Sequence, residues 1–505
     1  MNAADEILFP ALAAGHGDSL AIICSERRCT YNELVRLTNR FGNAVLAAGL
    51  RRGEPVLMLM KDTPELVAAY LGVMRAGGIS VALNTRLTLK DLAYVVTDSR
   101  ARFLFADNEF LPVVAETRSL LSDFPRVVAS SAQTDQFADF LAGQSDELAA
   151  ADMEPTEPCL WSYTSGTTGY PKGVVHVHGS IPLGSKYVEH ALKVQPGMRI
   201  FATSKLFFAY ALGQCLIGGL RLGATLILNE GWPDAAAAVA TIEREQPDVV
   251  LSVPALYRTM LRSGIANNEA LRRVKTYLSA GERLPEQLCR EWIDTTQTTL
   301  LEAFGSTESL FLFISTNRDA VRPGSCGRPV PWVEVRLVSE DDREITRPDE
   351  PGDLWVRIAS LFHHYHNRPE VTAAAMRDGW WRTGDVFAFD ADGNWHAQGR
   401  SDDMLKISGQ WVNPSEVEEV TLTIPGVVEA AVVGAPDNDG LIRLTLFAVA
   451  AADKATPELE KCVVETLRSR LSIYKCPRRI QFVDFIPRTA TGKLQRFKLR
   501  EMLVA

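Results

Sequence analysis

The chain is notable first for what it does not contain. Its eight cysteines stand singly at 24, 29, 159, 215, 289, 326, 462 and 476, and no two form a CxxC pair. A disulfide framework and a zinc-ligand pattern are both excluded as readings, and reduced, isolated thiols are expected. There is no basic excess: 53 Lys and Arg face 62 Asp and Glu, for a net charge of −9. That balance argues against a nucleic-acid partner, which requires cations to neutralise phosphates. No apolar run is long enough for a membrane span, because residues 64–83 carry Glu65, Arg75 and the Gly77-Gly78 break. The first residues, Met1-Asn2-Ala3-Ala4-Asp5-Glu6, lack a basic region, so no signal peptide is expected and the cytoplasm is the expected location. No internal repeat stands out.

What the chain does contain is ordinary globular composition, 46% hydrophobic and 23% charged over 505 residues. That length exceeds one core and implies two or more domains. Helical apolar spacing at 32–50, 63–76 and 89–99 alternates with strand-like runs at 54–60, 79–83 and 103–105. The alternation resumes at 234–246, 249–253, 255–263, 276–280, 285–295 and 300–304, and 128–153 reads as a connecting stretch. The pattern predicts an α/β fold: a large N-terminal domain of mostly parallel βαβ sheets, with a β-rich subdomain from Val335 on. After Gly399-Arg400-Ser401-Asp402-Asp403 the composition changes to a small α+β domain, giving boundaries at 1–398, 399–403 and 404–505. Its expected elements are helices at 415–422 and 457–471 and strands at 428–434, 443–450 and 479–484.

One stretch concentrates chemistry: Tyr163-Thr164-Ser165-Gly166-Thr167-Thr168-Gly169-Tyr170-Pro171-Lys172-Gly173. Glycines let backbone N–H groups turn toward a ligand, hydroxyls add donors, and Lys172 adds a point charge, a combination suited to phosphate oxygens. It does not match the GxxxxGK[ST] pattern, and a plain surface loop is the competing reading. Ala280-Gly281-Glu282 and Phe304-Gly305-Ser306-Thr307-Glu308 each follow a predicted strand. Ligands of open parallel sheets sit outside the carboxyl ends of strands, so these segments are expected at one rim, with the Gly-rich loop. Glu308 is an oxygen ligand suited to Mg²⁺ shared with nucleotide phosphates, or else a helix N-terminal glutamate. Further on, Asp392-Gly393 is a hairpin-turn signal, and it predicts that Asp385 and Arg400 stand opposite each other across the hairpin. A carboxylate there can accept both hydroxyls of a cis-diol, or the two residues form a structural ion pair.

Taken together these segments resemble the adenylate-forming enzymes: acyl-CoA synthetases, peptide-synthetase adenylation domains and luciferases. The resemblance covers about the whole chain, with five motifs in the family's order. It implies ATP or AMP contacts from Thr164, Ser165, Gly166, Thr167, Thr168, Gly169 and Lys172, with Ala280, Gly281, Glu282, Phe304, Gly305, Ser306 and Thr307 bordering adenine and phosphate. It further implies Mg²⁺ at Glu308, and ribose hydroxyls at Asp385 of Trp381-Arg382-Thr383-Gly384-Asp385 and at Arg400. Lys493, in Pro487-Arg488-Thr489-Ala490-Thr491-Gly492-Lys493, matches the family's late catalytic lysine, acting with Lys172, Thr307 and Glu308. Asp402 matches the pivot about which the small domain swings, bringing Ser408, Gly409 and Trp411 to coenzyme A.

The acid is read from Leu206-Phe207-Phe208-Ala209-Tyr210-Ala211-Leu212-Gly213, which falls where the family builds its acyl pocket. There is no aspartate here to meet an α-ammonium, and aromatic faces separated by Ala and Gly suit a flat ring. With Trp232, the segment looks most like benzoate-type aryl-CoA ligases; Phe208, Ala209, Tyr210, Gly213, Gly305 and Phe311 are the expected substrate contacts. Phe311 stands where a histidine is expected in benzoate and anthranilate ligases, which leaves the ring substituent open. Lys205 is read either near the substrate carboxylate or as a solvated lysine. The expected activity is ATP-dependent ligation of a benzoate, hydroxybenzoate or aminobenzoate to CoA. The alternatives are a stand-alone enzyme loading a carrier protein in trans, a medium-chain fatty acyl-CoA ligase, or a catalytically dead binding paralogue. Against the last, Lys172, Glu308, Asp385, Arg400 and Lys493 are all chemically competent. Monomer and homodimer are both open.

Overall fold

The computed structural model describes residues 1–130, 136–164, 171–407, 410–436, 442–451, 455–488 and 494–503. The chain divides into two compact units, one of Met1–Val335, Val356–Trp381 and Asp392–His396, the other of Arg336–Trp355, Arg382–Ala391 and Ala397–Ala505.

The first unit is built on two sheets among the described residues. One has nine strands in the order Arg328–Pro329, Leu312–Ser315, Leu300–Gly305, Thr276–Ser279, Val249–Ser252, Arg199–Ala202, Thr225–Leu228, Leu20–Cys24 and Arg27–Thr30. The other has seven, in the order His364–Tyr365, Lys172–Val177, Pro158–Thr164, Ile79–Ala82, Pro55–Leu59, Phe103–Ala106 and Arg126–Ala129. The central strands of both run parallel. Their continuous burial explains why they read as unbroken apolar runs: every residue of Pro55–Leu59, Phe103–Ala106 and Val249–Ser252 is buried.

The predicted helices form with the expected signals. Thr63 caps the helix Pro64–Arg75 by accepting from the Leu66 N–H, with Pro64 in the first turn, and Asp234 caps Ala235–Glu245 through Ala237. Thr30 and Glu33 make a capping box on Tyr31–Ala47. The helices Tyr31–Ala47 and Pro64–Arg75 meet at Gly72, where a Cβ would lie 2.6 Å from the Thr38 carbonyl oxygen, so only glycine permits this approach. One side of the nine-stranded sheet is sealed by Tyr257, Tyr277 and Trp292, whose rings pack edge-on with centroids 4.6 and 5.0 Å from Trp292.

The stretch 128–153 is more than a connection. It contains the end of the strand Arg126–Ala129 and the helix Gln136–Leu141, and Phe137 packs edge-on against Phe41 and Phe105. Asn39 and Asn43 tie its later part down by donating to the carbonyls of Asp146, Ser145 and Glu147. Its small and polar residues conceal these anchors because most of the partners lie about a hundred positions away.

The second unit contains most of a six-stranded sheet, with Glu344–Ile345, Glu334–Val338, Gly352–Arg357, Trp380–Phe389 and Met376–Arg377 in order and Trp395–Arg400 paired to Trp380–Phe389. It also holds the α+β module expected at the C-terminal end. Val427–Pro436 pairs antiparallel with Ile442–Ala450, which pairs parallel with Arg479–Phe482. Pro414–Leu422 and Pro457–Arg470 contribute Val417, Val463 and Leu467 to the apolar cluster on one face; Arg496–Glu501 contributes Leu499 to the cluster on the other. Arg496, 11% exposed, pairs with Glu418, donates to the Val432 carbonyl at 2.6 Å and lies 3.6 Å from Asp403.

Cys24, Cys159, Cys215, Cys289 and Cys326 are buried, and Cys462 is exposed on the helix Pro457–Arg470. Burial pushes the partly covered Cys29 thiol up to about 11. Among the described residues, no helix is long and apolar enough to cross a membrane.

Candidate active site

The Thr307-Glu308 turn follows the strand Leu300–Gly305 and is pinned from several sides. Gly305 is required where it stands, since a Cβ would lie 2.9 Å from the Phe311 carbonyl oxygen. Ser309 Oγ accepts from the Ser306 N–H at 3.1 Å and donates to the Phe311 carbonyl at 2.9 Å. Leu310 is held at φ +60°, a left-handed conformation costing a leucine roughly 1–2 kcal/mol, so the surrounding contacts dictate the turn. His176 Nε2 donates to the Thr307 carbonyl at 2.8 Å, and the Phe362 N–H donates to the Glu308 carbonyl at 2.8 Å. Desolvation pushes the buried His176 imidazole down to about 4, so it is neutral. Glu308 lies in a turn and not at a helix start.

The strand Lys172–Val177 brings the lysine of the Gly-rich stretch to this turn. His364–Tyr365 pairs antiparallel with it, Tyr365 opposite Val174. The Tyr365 hydroxyl donates to Glu308 Oε1 at 2.8 Å, and Lys172 Nζ stands 4.9 Å from the centre of the Tyr365 ring. Lys172, Tyr365 and Glu308 therefore form one cluster of cation, phenol and carboxylate. Sequence reasoning did not find Tyr365 or His176. Neither lies in a glycine-rich motif, and both act through contacts set by the fold.

Thr164 and Lys172 are register partners across a hairpin, so Ser165–Tyr170, which lie outside the described residues, connect the ends of two paired strands. This hairpin belongs to the seven-stranded sheet, whereas Thr276–Ser279 and Leu300–Gly305 are parallel neighbours in the nine-stranded one. Ala280-Gly281-Glu282 and Phe304–Glu308 thus share a rim as expected. The hairpin reaches Thr307 from a different sheet, linked by the His176–Thr307 hydrogen bond.

The segment 206–213 carries an aromatic cluster. The Phe207 and Phe208 rings both pack against Trp232, Phe208 edge-on at 6.2 Å between centroids. The Tyr210 hydroxyl donates to the Leu278 carbonyl at 2.9 Å. Phe311, 2% exposed, packs against two glycines: a Cβ on Gly184 would stand 2.9 Å from its ring, and one on Gly213 3.1 Å. Lys205 is neither solvated nor free. It is 2% exposed, pairs with Asp62 at 3.3 Å, donates to the Gly231 carbonyl at 2.9 Å and also reaches the Asn229 carbonyl. It ties the start of the Phe207-Phe208 segment to the chain leading into Trp232.

After Ala209–Ala211 the helix widens to a π-turn over Leu212–Ile217. Gln214 within it is 0% exposed, and neither its Oε1 nor its Nε2 has a hydrogen-bond partner among the described residues.

In the second unit, Arg400 Nη1 donates to Asp385 Oδ2 at 3.0 Å and to the Thr383 carbonyl at 3.0 Å, so the predicted cross-hairpin pairing is present. Gly384 sits at φ +74° against this guanidinium. Asp402 is exposed, and its neighbour Asp403 donates its N–H to the Arg400 carbonyl at 3.1 Å. Ser408, Gly409 and Lys493 lie outside the described residues, as does the side chain of Trp411.

The chain was compared with known proteins. The family model described as AMP-binding enzyme matches residues 9–366, and that of the AMP-binding enzyme C-terminal domain matches 416–493. A 3-hydroxybenzoate–CoA ligase of Aromatoleum sp. (strain CIB) is 49% identical, covering 100% of this chain and 97% of that protein. A 3-hydroxybenzoate–CoA/4-hydroxybenzoate–CoA ligase of Thauera aromatica is 48% identical over 100% and 98%. The crystal structure of an anthranilate CoA ligase in complex with anthranoyl-AMP superposes with a TM-score of 0.92 at 33% identity, over 99% of this chain and 97% of that one. Matches that run the length of both units, over motifs met in the family's order, leave one assignment: the chain belongs to the AMP-binding enzyme family, in its branch of AMP-forming acid–thiol ligases.

Proposed function

We propose that the protein is an ATP-dependent aryl-acid–CoA ligase for benzoate-type acids. The observation that carries the reading is the aromatic cluster, Phe208 packed edge-on to Trp232 and Phe311 packed on Gly184 and Gly213, while the Asp62 carboxylate beside this segment is committed to Lys205 and the Leu206 N–H and so does not meet an α-ammonium. Flat apolar walls with glycine gaps accept a ring and reject an amino acid zwitterion.

In the first half-reaction a carboxylate oxygen of the acid attacks the α-phosphorus of ATP. The bond to pyrophosphate breaks, leaving an aryl-adenylate. Such chemistry depends on positioning and on stabilising redistributed charge. Lys172 and the Thr164 and Thr307 hydroxyls are assigned to the phosphates, Lys493 to the carboxylate and α-phosphate, and Asp385 with Arg400 to the ribose. Glu308 fits Mg²⁺: it is a hard oxygen donor, Tyr365 engages Oε1 alone among the described residues, and Lys172 is near. Bound there with ATP, the ion supplies neutralising charge. In the second half-reaction the CoA sulfur attacks the acyl carbon, the bond to AMP breaks, and the thioester forms. Ser408, Gly409 and Trp411 are assigned to CoA, after the C-terminal module has turned about Asp402.

The test is pyrophosphate release over a panel of substituted benzoates, octanoate and phenylalanine, with and without CoA. Benzoates should have the highest kcat/KM, and CoA should be needed for turnover beyond a single burst. Octanoate or phenylalanine surpassing every benzoate would overturn the substrate class. Multiple turnover only with a carrier protein would make CoA the wrong acceptor.

A further inference from the structure

The rings of this cluster offer a substituent no acceptor: Phe208, Ala209 and Phe311 carry none in their side chains, Trp232 lies under the Arg86 guanidinium at 4.0 Å and donates its Nε1–H to Thr85, and the Tyr210 hydroxyl is already committed to Leu278. Phe311 occupies the position where the resemblance implied a histidine. A polar group does exist on the same segment, four residues beyond Tyr210 and next to Gly213, in the side chain of Gln214. We infer that Gln214 reads the substrate's ring substituent, and that the substituent is a hydroxyl. This inference rests on the aryl-acid reading and refines it.

Three observations carry it. Gln214 is 0% exposed and both of its amide atoms lack partners among the described residues. An unsatisfied buried polar group costs about 1–3 kcal/mol, and native proteins rarely keep one without a use. The residue lies in the π-turn Leu212–Ile217, a rare distortion that recurs at functional sites. Its neighbour Gly213 has no side chain, and this brings the helix backbone against the Phe311 ring. The chemistry then selects the partner. A primary amide presents one acceptor and an N–H donor, and a phenolic hydroxyl is both donor and acceptor, so one small group satisfies both ends. An unsubstituted ring, or one bearing methyl or chlorine, leaves them unpaired. A site built to hydrogen-bond a hydroxyl discriminates strongly against the analogue that lacks it.

The experiment measures kcat/KM for benzoate, the ortho, meta and para hydroxybenzoates, and the matching methyl- and chlorobenzoates. In the wild-type enzyme at least one hydroxy isomer should exceed its methyl and chloro counterparts by ~10-fold or more. Gln214→Met keeps the length and removes the amide. It should lower the ratio of that hydroxybenzoate to benzoate by ~10–100-fold, with the change mainly in KM. Gln214→Asn, which keeps a shortened amide, should recover part of the ratio. A wild-type enzyme indifferent to hydroxyl against methyl overturns the inference, and needs no variant. So does a Gln214→Met enzyme in which all acids fall by one factor, the mark of a structural role, or in which the ratio does not move, the mark of an amide satisfied by trapped water. These failures differ from failure of the aryl-acid reading, in which octanoate or phenylalanine would surpass every benzoate in the wild-type enzyme.

Discussion

At the scale of single residues, the turn that carries Thr307 and Glu308 depends on neutral histidine. His176 gives its one N–H to the Thr307 carbonyl, and burial holds its imidazole down at about 4, against an ordinary value of 6.5. His178 is likewise pushed to about 4, chiefly by desolvation, and its Nδ1 accepts the Ala3 N–H at 2.9 Å. Between these two pH values the unfolded chain binds more protons than the folded one. Stability therefore rises with pH across that window, is complete above about 6.5, and is lost progressively as pH falls toward 4. For His176 alone the full effect is on the order of 3 kcal/mol. His176→Gln retains an N–H for the Thr307 carbonyl and cannot titrate. The drop in thermal midpoint from neutral pH to pH ~4.5 should be smaller in this variant than in the wild type. Equal drops would mean that His176 does not limit acid stability. Nothing around His176 in sequence announces this role, because its partner lies 131 positions away.

At the scale of elements, the segment proposed to line the acyl pocket is placed by an ion pair. Lys205 and Asp62 are 3% and 6% exposed at the side chain, and the Asp62 carboxylate also accepts the Leu206 N–H at 3.2 Å. Removing one partner strands a buried charge, which typically costs about 3–5 kcal/mol. Lys205→Met and Asp62→Leu should each lower the urea midpoint strongly, and the double variant should recover most of the loss. Additive losses would show that the two charges do not act as a pair. The paired changes should also move KM for the aryl acid, because Phe207 and Phe208 follow Lys205 after one residue, Leu206, whose N–H Asp62 holds. Elements themselves were well legible. Helix starts at Thr63 and Asp234 and the buried parallel strands announced themselves through capping residues and continuous apolar runs. The π-turn over Leu212–Ile217 did not, since the apolar spacing there carries no mark of it. Lys205 was equally opaque, because its burial depends on Asp62 and on the Asn229–Gly231 carbonyls. Asp385 and Arg400 were readable because a two-residue turn converts sequence distance into a cross-strand neighbour.

At the scale of the whole molecule, the assigned roles divide the reaction between conformations. Lys493 is proposed to serve only adenylation and Asp402 only the change of arrangement. Lys493→Ala should slow adenylate formation by about 10²–10³ and spare thioester formation from supplied aryl-adenylate. Asp402→Pro, which fixes φ and removes an N–H, should do the reverse. Single-turnover kinetics of each half-reaction would decide: equal loss in both steps for either variant removes the two-arrangement model. Arg496 bears on this, since it joins Glu418 and Asp403 three residues beyond Lys493. The helix Arg496–Glu501, the helix Pro414–Leu422 and the residue next to the pivot are therefore braced together by one guanidinium. That division of labour can be watched directly, because of how the thiols are distributed. Five of the eight are buried, Cys29 is partly covered with a raised pKa, Cys476 is partly covered and also raised by desolvation, and Cys462 is exposed on a helix of the C-terminal module. At neutral pH a maleimide dye should enter the native protein at Cys462 ahead of every other thiol. The enzyme thus carries its own attachment point for a fluorophore on the part proposed to move, with no cysteine to engineer in and none to strip away.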